Sequence, residues 1–156
     1  MSDGLSKKNK HILNTAASGT GNGTGSFTGI FGIGTDIIEV SRVKKAIQKS
    51  SSFLQKVFTR GEINYCNSKK NPDLIYISFA QRFAAKEAIL KALGVGVLGG
   101  ISLNEVEIVN NSRGKPTVIM HGRAQQFLRE KNISGIELSL SGVKEFAAAF
   151  AISFRC

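Results

Sequence analysis

The apolar positions of this chain change period several times between residues 30 and 154, and each change marks an element. Ile30, Phe31, Ile33, Ile37, Ile38 and Val40 make a β-branched apolar stretch, which predicts a buried strand leading into a helix over Ser41–Lys49. Phe53–Phe58 predicts a short helical turn. Thr59-Arg60-Gly61-Glu62 has the T-x-x-E spacing of a capping box and opens a helix through Cys66. Asn71-Pro72 marks a turn. After it, Phe79–Gly94 (FAQRFAAKEAILKALG) is the clearest helix of the chain, rich in good helix formers. Phe83, Ala84, Ala88, Leu90 and Ala92 supply its apolar stripe, and Gly94 stands where a left-handed C-cap would end it.

A glycine-dense segment, GVGVLGG, follows. Beyond it the pattern predicts a strand over Glu105–Asn110, a turn at Asn111–Gly114, and a second strand over Thr117–His121, together a hairpin. Arg123–Lys131 reads as a helix with Ala124, Phe127 and Leu128 on its apolar face. Ile136, Leu138 and Leu140 alternate with Glu137, Ser139 and Ser141. In the final strand Phe146, Ala148, Phe150, Ile152 and Phe154 share one face, and Phe150 and its face-mates are expected in the core. Ser141–Glu145 connects these last two strands. The fold class is α+β: a small antiparallel sheet packed against a long central helix.

Composition narrows the partners. A chain of 156 residues with 42% hydrophobic residues fits one domain with a real core. The net charge of +10 favours an anionic partner, whether a phosphorylated ligand, an acidic protein, a nucleic acid or a membrane surface. Two cysteines, Cys66 and Cys156, without a CxxC pair, give no disulfide framework or zinc site, and a reducing, cytoplasmic compartment is the expectation. The two histidines, His11 and His121, have no second ligand nearby in sequence, and no apolar run approaches the roughly 20 residues of a spanning helix. Residues 1–29, with the run SGTGNGTGSFTG, read as a flexible tail ahead of a domain over 30–156. The tail has no apolar core of a secretory signal. Its hydroxyl-rich, acid-poor composition leaves an organellar transit role open, while its lack of arginine favours a plain extension.

Two carboxylates stand out. Asp36 sits within the first apolar strand, where a charge is capped, paired or metal-bound. Glu87 lies in the central helix among Arg82, Lys86 and Lys91. Glu87 and Lys91 are four apart and share a helix face, so they form either a surface ion pair or one side of a site for a charged ligand. If the helix crosses the sheet, Asp36 and Glu87 converge. Two such carboxylates repel unless a cation lies between them or one is protonated. Magnesium commonly takes one or two carboxylates with phosphate oxygens and water, and Arg82, Lys91, Arg113, Lys115 and Lys144 could then carry the phosphates. Gly32-Ile33-Gly34 lacks the third glycine of a dinucleotide loop, since position 37 is Ile. A basic nucleic-acid-binding domain is a rival that explains the charge but not the carboxylate pair, and it lacks exposed aromatics for base stacking.

Three segments together resemble the holo-acyl-carrier-protein synthases, small bacterial-type phosphopantetheinyl transferases: GIGTDIIEVSRV (Gly32–Val43); FTRGEINYC (Phe58–Cys66) running on to RFAAKEAILKALGVG (Arg82–Gly96); and the Gly114-Lys115-Pro116 turn paired with LSLSGVKEFAAAFAI (Leu138–Ile152). The resemblance implies transfer of the phosphopantetheine arm of coenzyme A to a serine of apo acyl carrier protein, in a homotrimer with sites at subunit boundaries, and no nucleic-acid or membrane partner. It implies magnesium on Asp36 and Glu87, with Lys91 near the diphosphate as the third catalytic group. Arg82, Gly114, Lys115, Pro116, Ser141 and Lys144 fall in segments that contact coenzyme A, and Arg42 at a position that meets the carrier protein. The resemblance breaks once: the family's S-x-[ST]-H motif reads Ser139-Leu140-Ser141-Gly142, so a histidine able to bond a cofactor phosphate is missing. Its loss would either weaken coenzyme A binding or be compensated by a neighbour such as Lys144, and a coenzyme A-binding protein without turnover is the variant reading that Gly142 motivates.

Overall fold

The computed structural model describes residues 29–96 and 99–155; the expected tail, apart from Gly29, and part of the glycine-dense segment lie outside them. In chain order the elements are β1 (Gly29–Glu39), α1 (Val40–Lys49), α2 (Ser51–Val57), α3 (Arg60–Asn67), α4 (Pro72–Ala92), a 3-10 turn (Leu103–Glu105), β2 (Val106–Asn110), β3 (Pro116–Met120), α5 (Gly122–Glu130), β4 (Ile133–Gly142) and β5 (Phe146–Arg155). β1, β5 and β4 form a three-stranded antiparallel sheet in that order, and β2–β3 is a separate hairpin. The α+β expectation holds, with α4 lying across the three-stranded sheet.

The central helix begins at Pro72, seven residues before the Phe79 expected from sequence. Asn71-Pro72 is a helix start, not only a turn. The Asn71 side chain accepts from Asp73 N at 2.8 Å, and Pro72 takes the first turn, where its missing N–H costs nothing. The other end is as expected. Gly94 has φ +68°, Val95 N bonds Leu90 O and Gly94 N bonds Lys91 O, both at 3.0 Å, which is the Schellman pattern. The Ser153 hydroxyl, fully buried, lies 2.8 Å from Ala92 O and satisfies another of the helix's terminal carbonyls.

The sheet is inverted relative to the expectation. The face of β5 that meets α4 carries Ala147, Ala149, Ala151 and Ser153, all buried, whereas Phe150 and Phe146 on the other face are 45% and 46% exposed. β1 behaves likewise: Ile33 and Ile37 share the outer face with Phe150, and Ile37 is 68% exposed. Phe150 and its face-mates are therefore not the core of this chain, and β1 is buried on one side only. The reason lies in the helix. α4 presents Ala84, Ala85, Ala88 and Ala92, and small residues on both partners let backbone approach backbone. Gly32 and Gly34 belong to the same contact, because a Cβ at Gly32 would strike Ala92 O and one at Gly34 would strike Ala88 O. Alternation distinguishes the two faces of a strand but not which one is inward.

Candidate functional site

The close approach of β1 to α4 places Asp36 beside the helix. Asp36 pairs with Ala149 in register, so its side chain is on the helix side of the sheet. Lys91 Nζ donates to Asp36 Oδ1 and to Thr35 O, both at 2.9 Å. Glu87, one turn before Lys91, is half-buried. Its carboxyl is raised above the ordinary value first by burial and then by the charge of Asp36, with Lys91 pulling the other way. Two carboxylates within electrostatic reach and one shared ammonium form the cluster that residue types alone left open.

Among the described residues no group of three or more His, Cys, Asp or Glu is arranged to hold a metal. Asp36 and Glu87 are a two-carboxylate site, which suits a hard ion completing its shell with water and phosphate oxygens. Burial and, after it, the charge of Asp36 raise Glu87, and a cation between the two carboxylates would relieve their repulsion. Glu87 also lines a cavity of about 460 Å³ with Phe53, Lys56, Leu90, Ile101 and Ser102 among its walls.

The other predicted ligand-binding residues gather elsewhere. A second cavity, of about 400 Å³, is lined by Tyr65, Gln81, Arg82, Asn110, Gly114, Lys115, Pro116 and Leu138–Leu140, and it shares no residue with the first. Arg82 is 3% exposed. Its guanidinium lies 4.0 Å over the Tyr65 ring, its Nη2 donates to Asn110 Oδ1 at 2.9 Å, and its Nε is buried without a partner. Asn110 Nδ2 donates in turn to Gly114 O at 2.8 Å, and Gly114 needs its φ of +81° to close the turn. Lys115 pairs with Glu137 at 2.7 Å, both half-exposed. Lys69 above all holds the Tyr65 phenol below its ordinary value, against burial, and Arg82 adds to the pull; the two cations lie 3.9 and 4.0 Å over the ring, and Arg82 and Lys115 make the cavity wall cationic.

Ser141 sits on the outer face of β4 opposite Ala148, Lys144 is exposed in the β4–β5 turn, and Arg42 is exposed on α1; none of the three lines either cavity. One chain thus holds the expected site in two halves: carboxylates and Lys91 at one place, Arg82 and the hairpin turn at another.

Sequence reasoning missed the pair beside Glu87. Lys86 and Glu62 are both fully buried, 2.7 Å apart. Lys86 Nζ also donates to Leu103 O at 3.0 Å and to Val106 O, so all three of its protons are used. Glu62 accepts from Lys86 and Thr59 N on one oxygen and from Ile108 N on the other. The expected Thr59–Glu62 capping box is present, and it doubles as the anchor of α4. Burial pulls the Lys86 ammonium below its ordinary pKa against the opposing pull of Glu62.

An α+β domain with a paired-carboxylate cluster and a cationic, turn-lined cavity defines a class. Residues 32–151 match the 4'-phosphopantetheinyl transferase superfamily, and the chain belongs to that family, within its holo-[acyl-carrier-protein] synthase branch. A Holo-[acyl-carrier-protein] synthase of Ruminiclostridium cellulolyticum is 46% identical over 121 residues, 77% of this chain and 89% of the relative. The holo-ACP-synthase of Plasmodium yoelii superposes with a TM-score of 0.72 at 36% identity, covering 83% of this chain and 98% of that one. A holo-(acyl-carrier-protein) synthase of Bacillus anthracis, in complex with CoA (3',5'-ADP), superposes at 0.67 and 35% identity, covering 81% and 98%.

Proposed function

We infer that this protein is a holo-[acyl-carrier-protein] synthase, transferring phosphopantetheine from coenzyme A to a serine of apo acyl carrier protein and releasing adenosine 3',5'-bisphosphate. The observation that carries the reading is the convergence of Asp36, Glu87 and Lys91 where β1 crosses α4, in a chain whose relatives share that name. Asp36 and Glu87 would hold magnesium, which when bound offsets negative charge on the diphosphate. Lys91, half-exposed and already bonded to Asp36, can turn an N–H to a phosphate oxygen as charge builds on the leaving group. Arg82 and the Gly114–Pro116 turn would grip the nucleotide end, with the unpartnered Arg82 Nε as a free donor. The exposed Arg42, on a helix that also carries Lys44 and Lys45, suits an acidic carrier protein and a salt-sensitive encounter.

The active form is a homotrimer with each site built from two subunits. The exposed outer face of the sheet, with Ile33, Ile37, Phe146 and Phe150, supports it, because an apolar patch of this kind marks an interface. So does the division of the binding residues between two separate cavities. No helix among the described residues is long and apolar enough to cross a membrane. The Cys66 thiol is free and buried, and burial pushes it up to about 12, so it stays protonated and unreactive.

Mass spectrometry tests the proposal. Apo carrier protein incubated with the protein, coenzyme A and magnesium should gain one phosphopantetheine, and chelation should stop the gain. Glu87→Ala and Arg82→Gln variants should each be inactive alone and regain activity when mixed, because a shared site then receives one intact half from each. No mass gain with a competent carrier protein overturns the function; no recovery on mixing overturns the shared site.

A further inference from the structure

We propose that Gln81 is a phosphate-binding residue of this enzyme and that Gly142 is the position that makes room for it. The inference rests on the reading that the cavity around Arg82 takes the nucleotide end of coenzyme A. Gln81 precedes Arg82 on α4 and lines the same cavity. It is half-buried, and its carboxamide makes no hydrogen bond among the described residues. Gln81 and Arg82, whose Nε is buried without a partner, both line this cavity, and two sets of N–H donors in one cationic wall bind an anion better than either alone.

Gly142 explains why Gln81 can stand there. It ends β4 opposite Ala147 in register, on the side of the sheet that faces α4. A Cβ at Gly142 would fall 2.8 Å from Gln81 Nε2 and 3.0 Å from Ile77 Cγ2. The space that a side chain at 142 would occupy is thus filled from the helix by Gln81. The closest contact is with the far end of a flexible side chain, Gln81, while the Ile77 methyl has only a few tenths of an ångström to give, so a substitution at 142 should push Gln81 aside and leave the fold intact. The donor that the strand lacks is supplied by the helix, and Lys144, exposed in the turn beyond, need not supply it.

A double-mutant cycle on the affinity for 3',5'-ADP tests this. Gln81→Ala should weaken binding about tenfold, as loss of a charge-assisted hydrogen bond does, and should raise KM for coenzyme A by a similar factor with little change in kcat. Gly142→Ala should weaken binding comparably in the parent but add nothing on top of Gln81→Ala. Gln81→Glu should weaken binding further than Ala, and Gln81→Lys should restore it with a steeper salt dependence. Melting temperature, which a packing role would lower, should stay within a few degrees for all of them. Parent-like affinity of Gln81→Ala, an equal cost of Gly142→Ala in both backgrounds, or insensitivity to the charge at 81 overturns the inference. Failure of the parent itself to bind 3',5'-ADP would instead overturn the underlying reading of the cavity.

Discussion

Helix α4 carries two lysine–carboxylate pairs five residues apart, and they differ in almost everything but chemistry. Lys86–Glu62 is sealed, with both side chains fully buried and every proton of the lysine placed. Lys91–Asp36 is open: at 2.9 Å its lysine is 52% exposed and its carboxylate 17%, and a second carboxylate, Glu87, repels Asp36 from the next turn. The sealed pair has no spare valence and fixes α4 against α3 and β2. The open one has a half-exposed cation and surplus negative charge, which suits exchange with an incoming ligand. Residues 86 and 87 are adjacent in sequence, so the helix that is pinned on one side presents Glu87 on another.

Breaking the sealed pair should have the largest effect. Lys86→Met leaves Glu62 charged and buried with fewer donors, and should cost about 3–5 kcal/mol of stability, read by urea unfolding. The Glu62→Gln, Lys86→Met double variant should recover part of that loss, because no buried charge remains. A cost below about 1 kcal/mol for the single variant would remove the distinction between the pairs.

The open pair should show the reverse profile. Asp36→Asn should change stability by no more than about 1 kcal/mol, as exposed pairs do, yet lower the transfer rate about a hundredfold to a thousandfold, the range for losing one electrostatic stabiliser of a transition state. Lys91→Ala should follow the same pattern with a smaller loss of rate. If either variant unfolds the protein, the cluster at β1 and α4 is structural, and its exposure is incidental.

How far the sequence discloses this arrangement depends on what kind of signal each residue leaves. Thr59–Glu62, Gly94 and the hairpin turn at Gly114 are local: their spacing and residue type suffice, because the bonds they make lie within a few residues. The start of α4 at Pro72 was hidden by Leu74, Ile75, Tyr76 and Ile77, whose β-branched and aromatic content argues against helix until tertiary packing overrides it. The inward face of β5 was hidden because the usual rule sends the larger residues inside. Here alanines meet the alanines of α4, and the phenylalanines are left outside. Gly32 and Gly34 look like a broken nucleotide loop in sequence and are a helix-packing seam in space.

Lys86 carried no signal of its own, since a lysine beside a glutamate in a helix is ordinarily solvated. The spacing of Arg82 and Glu87 also separates them, although as charges on one helix they read as neighbours. Five residues on a 3.6-residue repeat put them about 140° apart, so they face different cavities of one chain.

The smallest effect should come from the edge where the sealed network reaches water. Glu107 Oε1 accepts from the Thr59 hydroxyl at 2.8 Å, and its Oε2 lies 2.8 Å from His121 Nε2. Burial raises the Glu107 pKa, but the hydrogen bonds with His121 and Thr59, with the charges of His121 and Lys86, outweigh it and hold the carboxyl below its ordinary 4.5. A carboxylate whose folded pKa is depressed contributes stability that is complete above the unfolded value and disappears as pH falls through the folded one. Glu107→Gln should therefore cost about 1 kcal/mol at pH 7. Measured by urea unfolding across pH, that cost should persist down to about pH 5 and shrink once the pH falls below 4.5, where the parent protein also loses the charge. A cost that did not change with pH would mean that Glu107 acts here through shape and neutral hydrogen bonds, and that the charged network ends at Glu62.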